Sequence, residues 1–302
     1  MNTKKVVQAE NGNVVIEKPE SQFKQMWYAL IQNKAAVVGM IIILFLVLLA
    51  ISSFFFPKFI MPYDPNYADL SINKQVPSAA HWFGTDEQGR DILSRVIDGT
   101  KISLSVGVTA VAFALTIGTV FGAIAGYKGG KTDTIIMRFM DIMLSIPDIL
   151  LAITFMAALG RGIDKAVIAI GICSVPEYAR IVRGSILSIK DSEYVQAAKV
   201  IGNNDMRIIF KHILPNVLSP IIVRATLGIS TAVLNTAALG FLGLGVQPPA
   251  AEWGDMLGRA RVFIFDAPYM LIFPGVAITI TVLAFNLLGD GLRDAFDPKA
   301  RK

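Results

Sequence analysis

Few side chains in this sequence could move protons, ions or electrons, and those few are scattered. Arg138, Asp141, Asp148, Glu177 and Arg224 stand within strongly apolar stretches, where a charge is costly and marks either a solute pathway or an internal ion pair. Arg138 and Asp141, three residues apart, are expected to pair near one end of a helix, with Glu177 and Arg224 near the same end. Pairing and snorkelling lower the cost of charges near an interface, so this structural reading is preferred to ion coupling. Asp86, Glu87 and Asp91 lack the alternating oxygen ligands of a calcium loop, and helix capping and solvation account for them. His81 and His212 fall outside the apolar stretches, which disfavours an imidazole proton relay. Cys173 is the single cysteine, so a disulfide or thiolate metal site is not expected. No Ser-His-Asp or Cys-His arrangement, and no carboxylate pair in an evident cleft, supports covalent catalysis.

Two glycine-rich stretches imitate cofactor loops. Gly126-Tyr127-Lys128-Gly129-Gly130-Lys131-Thr132 ends like a phosphate loop, but Ala125 holds the position of its first glycine and no strand precedes it. Gly240, Gly243 and Gly245 close an apolar run, where small residues serve helix packing.

The elements that must position these residues are membrane spans. Of 302 residues, 54% are hydrophobic and 17% charged, with a mean hydropathy of +0.57, too apolar for a soluble surface. The net charge of +5 is dispersed between apolar runs, which argues for membrane orientation and against nucleic acid. A spanning helix needs about 20 apolar residues. Candidates lie at 35–56, 102–126, 134–159, 166–181, 217–246 and 268–288, giving an all-α polytopic bundle of about six spans. Lys and Arg concentrate on one side if both termini are cytoplasmic. The expected organisation is a polar cytoplasmic tail (1–34), a first span that is a retained anchor and not a signal peptide (35–56), an extracytoplasmic segment (57–101) and a core (102–302). Within 57–101, Ile92, Leu93, Val96 and Ile97 suggest an amphipathic stretch along the membrane surface. Trp27, Trp82 and Trp253 are expected at interfaces, and Pro147, Pro176, Pro220 and Pro274 are expected to kink or break spans.

The cytoplasmic loop 183–215 has its own pattern. Asp191 or Ser192 can cap a short helix with Glu193 in its first turn, and Tyr194, Ala197, Ala198 and Ile201 recur on one face. Gly202-Asn203-Asn204 offers a C-cap and turn, and Asp205 can cap a second helix ending near Leu214-Pro215. A small-residue face permits close approach of another protein surface.

Tyr194-Val195-Gln196-Ala197-Ala198, Gly202 and Leu214-Pro215 resemble the EAA loop of ABC importer permeases, with Gln196 where a Glu is usual and His212 where an isoleucine would fall. The stretches His81-Trp82-Phe83-Gly84-Thr85-Asp86, Gly89-Arg90-Asp91, 241–249, Trp253-Gly254 and 289–294 are similar to the subgroup moving dipeptides, oligopeptides and nickel. The resemblance implies a bacterial cell-membrane subunit that is not itself an enzyme and holds no cofactor. It further implies a heterodimer with a second homologous permease, two ATPase subunits holding ATP and Mg, and an extracytoplasmic peptide-binding protein. Glu193, Tyr194, Gln196, Ala197, Ala198, Ile201, Gly202, Leu214 and Pro215 would then couple to an ATPase cleft. Similar subunits also handle nickel, glutathione or other small solutes. The rival class is an ion-coupled secondary transporter using the intramembrane charges.

Overall fold

The structure is a computed structural model that describes residues 6–8, 14–16 and 22–296. Apart from one short antiparallel pair, β1 (Val6–Gln8) with β2 (Val14–Ile16), the described regular elements are helical. They are α1 (Gln22–Gln32), α2 (Lys34–Phe55), α3 (Pro57–Ile60), α4 (Ile92–Lys128), α5 (Gly130–Leu144) and α6 (Asp148–Leu159). Then follow α7 (Ile163–Leu187), α8 (Glu193–Val200), α9 (Asp205–Arg207), α10 (Leu218–Phe241), α11 (Trp253–Ala260) and α12 (Tyr269–Phe296).

Among the described residues, four stretches are long and apolar enough to cross a membrane, α2, α4, Asp205–Phe241 and α12, or up to five if the bent pair α5 and α6 counts as one span. The segment expected as a single helix at 134–159 is broken, because α5 and α6 meet at 91°. Pro147 lacks a backbone donor and pushes Ile146 out of the helical region, which ends α5 before it. The expected short span 166–181 is the 25-residue α7, which is absent from the apolar set because it carries Asp164, Lys165, Glu177, Arg180 and Arg183. The run expected to end at 246 stops at Phe241, where Gly243 (φ +72°) turns the chain. The stretch at Ile92–Ile97 forms the first turns of the continuous 37-residue α4, with Ile92 and Ile97 buried. Residues 22–32, assigned to a polar tail, form α1, whose Leu30 packs with Leu292 and Ala295 of α12.

The bundle is built on the parallel pair α4 and α7, the most extensive helix contact. Gly118, Gly122 and Gly126 form a strip four residues apart on α4. A Cβ there would lie 2.5 Å from Tyr178 Cβ, against the Ala179 carbonyl, and 3.0 Å from the Arg183 carbonyl, respectively. Only glycine lets these two backbones approach so closely. The apolar core around this pair joins α4, α6, α7 and α10 through Val106, Met156, Ile170 and Leu239. Gly39 of α2 rests on α12, where a Cβ would stand 2.7 Å from the Ala284 carbonyl. The start of α2 meets the last turns of α12 through Ala36 and Gly291. Both therefore sit at the end of the bundle where α4 finishes and α10 begins.

Candidate functional site

At that end, 188–217 forms an elbow between α7 and α10. Its inner side is Val195, Ala198, Ile208, Ile209 and Ile213, packed with Ala123, Val182 and Ile186. Gly202, at φ +86°, closes α8 with a Schellman arrangement. Its N–H reaches the Lys199 carbonyl at 2.9 Å and the Asn203 N–H reaches the Ala198 carbonyl at 3.2 Å. The Tyr127 hydroxyl donates to Asp205 Oδ1 at 2.9 Å, and the Lys199 ammonium lies 5.3 Å from the Tyr127 ring centroid, tying the elbow to the end of α4. Two expected caps differ. Ser192 precedes α8, but its hydroxyl donates to the Ile189 carbonyl at 2.7 Å and so caps nothing. Asn204, and not Asp205, caps α9 by accepting from the Arg207 N–H at 2.8 Å.

The outer side of the elbow is apolar and uncovered within the described residues. Tyr194, Ala197, Val200, Ile201, Met206 and Phe210 are exposed, Val200 at 88% and Ile201 at 80%. Glu193, Gln196, Gly202 and Pro215 are exposed as well, while Leu214 is half-buried against the inner cluster. Ala198 departs from the expected face: it is 5% exposed and packs inward beside Val195. Sequence reasoning missed Val200, Met206 and Phe210. Their apolar character in an otherwise polar loop is the signal that would have found them.

Above the elbow, α7 carries a column of charge. Glu177, Arg180 and Arg183 follow at intervals of three residues and reach Arg224 of α10, Asp141 of α5 and Asp133 of α5. Arg180 Nη2 donates to Asp141 Oδ1 at 2.7 Å, and Arg183 binds Asp133 through two nitrogens at 2.5 and 2.6 Å. The expected Arg138–Asp141 pair is therefore replaced. A guanidinium on the facing helix takes Asp141, and Arg138 is exposed without an ion-pair partner among the described residues. Glu177 does pair with Arg224. Asp148 opens α6 beside the break, half-buried.

At the opposite end lies a buried polar cap that sequence reasoning ascribed to solvation. Asp86 Oδ2 accepts from Arg90 Nε at 2.6 Å and lies 3.6 Å from Arg95 Nε, and all three residues are buried. Arg95 Nη1 donates to the Pro65 carbonyl at 2.8 Å. Asp91 is the expected helix cap: it accepts from the Ser94 N–H at 2.8 Å and contacts His81 Nδ1 at 2.9 Å. Trp253 is no interfacial anchor. It is 1% exposed, donates Nε1 to the Val96 carbonyl at 3.0 Å, and fills the space over Gly99. Glu252 caps α11 by accepting from the Gly254 and Asp255 N–H groups at 2.8 Å each. Burial pushes its carboxyl up to about 7, against the opposing pull of those two N–H groups. Gly240 lies against Glu252 and Asp255, so its use is close packing. Gly129 and Gly130 are the left-handed turn between α4 and α5.

The family described as binding-protein-dependent transport system inner membrane component matches residues 118–302, and the N-terminal TM domain of oligopeptide transport permease C matches residues 21–77. The chain is 50% identical over 283 residues to the dipeptide transport system permease protein DppC of Alkalihalophilus pseudofirmus, covering 93% of this chain and 91% of the relative. It is 45% identical over 280 residues to the glutathione transport system permease protein GsiD of Pectobacterium atrosepticum, covering 92% of each. In fold it is similar to a chain of the MetNI methionine ABC transporter in inward-facing conformations, with a TM-score of 0.57 at 21% identity over 68% of this chain and 98% of that one. The chain belongs to the binding-protein-dependent transport system inner membrane components and is a multi-pass, non-catalytic permease subunit of an ABC importer.

Proposed function

We propose that this permease carries dipeptides or short oligopeptides as half of a heterodimer with a second homologous permease, and that the elbow 183–215 is the seat of an ATPase. In this reading the N- and C-termini and the elbow are cytoplasmic, the cap built from 57–101 is extracytoplasmic, and a peptide-binding protein delivers solute to it. Two partner ATPases hold ATP and Mg and supply the energy. Membership of the ABC importer family sets the secondary-transporter alternative aside.

The observation that carries the reading is the uncovered apolar face of Tyr194, Ala197, Val200, Ile201, Met206 and Phe210 on a folded, tethered elbow. Apolar side chains exposed together at one end of a membrane bundle fit a protein interface. Because α7 enters the elbow and α10 leaves it, a push on that face moves both helices as rigid bodies between discrete packings. The dipeptide substrate is drawn from the DppC relative. A glutathione substrate, itself a small peptide, is the second reading and is drawn from the GsiD relatives.

The test is purification in mild detergent with identification of what accompanies the chain, comparing the native sequence with Ile201→Glu and Ala197→Glu. Ala198 is unsuitable because a glutamate there would disrupt the inner face. Accompanying ATPases lost in both variants are the expected result. ATPases that stay bound to both would place the seat elsewhere.

A further inference from the structure

We propose that α5, α7 and α10 form one wall of an aqueous route through the membrane, and that the paired charges on it receive a solute bearing both a cationic and an anionic group. The second half of this inference rests on the peptide reading above.

Depth is the first argument. Asp141 is eleven residues into α5 and Arg180 eight residues before the cap at Ser188, so at 1.5 Å per residue they lie about 16 and 12 Å from the elbow end. Glu177 lies a further turn inward. Half a hydrocarbon core is about 15 Å, so, counted from the elbow end, these groups lie a comparable distance inward.

Exposure is the second. The Arg180 and Asp141 side chains are 57% and 52% exposed although paired, and those of Arg224 and Glu177 are 25% and 33% exposed. Arg224 Nε is moreover buried without a hydrogen-bond partner among the described residues. Charges at this depth do not face lipid tails; they face the bundle interior or a water-filled cavity. The contrast with α2 is internal to the chain. Beyond Lys34 in its first turn, its exposed positions, including Val38, Ile41, Leu44, Phe45 and Leu48, are apolar, as a lipid-facing surface requires.

The arrangement of sign is the third. Along one face, Asp141 stands beside Arg180 and Glu177 beside Arg224. A wall of one sign would attract half of a zwitterion and repel the other half. Alternating pairs offer an acceptor to an ammonium group and a fork of donors to a carboxylate, the two groups that every unblocked peptide carries. The break at Ser145-Ile146-Pro147 brings α5 to an end beside this face.

The experiment uses the assembled transporter in membrane vesicles with Cys173 replaced by Ala. Single cysteines replace Ser145 and Gly184, both exposed and close in sequence to the charged face, or Leu44 and Phe45 of α2 as lipid-facing controls. A thiol reacts as the thiolate, which hydrocarbon suppresses, so a membrane-impermeant charged methanethiosulfonate should label positions 145 and 184 about tenfold faster than 44 and 45. Equal rates would overturn the wall, including the case in which a second permease helix seals this face. Uptake then tests recognition. Asp141→Asn and Arg180→Gln should raise KM for a free dipeptide about three- to tenfold, leave KM for the same peptide blocked at both ends unchanged, and recover in part with Arg180→Lys. Equal changes for free and blocked peptide would mean that the pair is structural only. If the native complex shows no ATP-dependent peptide uptake, the peptide reading and the recognition half fall together, while the labelling still decides the wall.

Discussion

Replacing Gly122 by alanine should loosen the seam between α4 and α7 by an amount that the backbone geometry sets. The added methyl would meet the Ala179 carbonyl and lie 2.9 Å from Val182 Cβ, where 3.4–4 Å is ordinary contact. The carbonyl belongs to a helix and cannot swing aside, so the helices must part. Overpacking of this kind costs about 1–3 kcal/mol, and the better helix propensity of alanine returns at most about 1 kcal/mol. The net loss is then about 1–2 kcal/mol, or a melting temperature lower by roughly 2–8 °C. Gly118→Ala should behave similarly, since its methyl would lie 2.5 Å from Tyr178 Cβ, and Gly126→Ala more mildly, at 3.0 Å from the Arg183 carbonyl. Gly184→Ala on α7 is the control, because nothing lies within 4 Å of the added carbon. The protein carries its own reporter. Cys173 is the only cysteine and is 4% exposed, so labelling by a thiol-reactive fluorophore during heating in detergent follows opening of the core. Gly122→Ala melting at or above Gly184→Ala would refute the close-approach argument for this seam.

Arg95→Met should strip the Pro65 carbonyl of its donor and leave Arg90 as the one guanidinium beside Asp86. Breaking this buried network should cost about 3 kcal/mol, seen as faster proteolysis within 62–80, and unchanged cleavage would show that the network does not hold the cap. The Glu252 carboxyl sits at about 7 in the folded chain against an ordinary 4.5. The folded protein thus binds this proton more tightly, and the associated stability is full below about 4.5 and lost as pH rises through 7. Glu252→Gln should flatten the fall in melting temperature between pH 5 and 7; parallel profiles would remove the burial argument. Tyr127→Phe deletes the partly exposed hydrogen bond to Asp205, costing about 1 kcal/mol or less. It should leave ATPase co-purification intact while lowering uptake per ATP hydrolysed, and an unchanged ratio would mean that the tether takes no part in coupling.

The elbow shows where sequence reasoning stops. Its glycine turn is local, so Gly202 and the Leu214-Pro215 exit are readable from residue types, whereas the side chain that caps each helix is not. Which face looks outward is not local. At about 100° per residue, Tyr194, Val195, Ala197, Ala198, Val200 and Ile201 cover most of the circumference of the helix and its cap, and the periodic set Tyr194, Ala197, Ala198 and Ile201 does not mark the buried arc. Only packing of Val195 and Ala198 against Ile208 and Ile213 makes that choice. The ion pairs fail for the same reason. Arg138 and Asp141 are neighbours along α5, but Arg180 across the α5–α7 contact wins Asp141 at 2.7 Å. The glycine strip Gly118, Gly122 and Gly126 recurs every four residues, but only the packing names α7 as its partner.

Sequence by itself determined that the chain is a helical protein of the membrane and which loop turns back as a folded piece. Those features follow from composition, apolar run length and capping chemistry, each confined to a window of a few turns. Tertiary structure alone decided the break that splits 134–159, the partner of each charge, the inward turn of Ala198 and Trp253, and the burial of Asp86, Arg90 and Arg95. All of these depend on which surfaces meet across the bundle, and that is a property of helix packing that no single window of sequence contains.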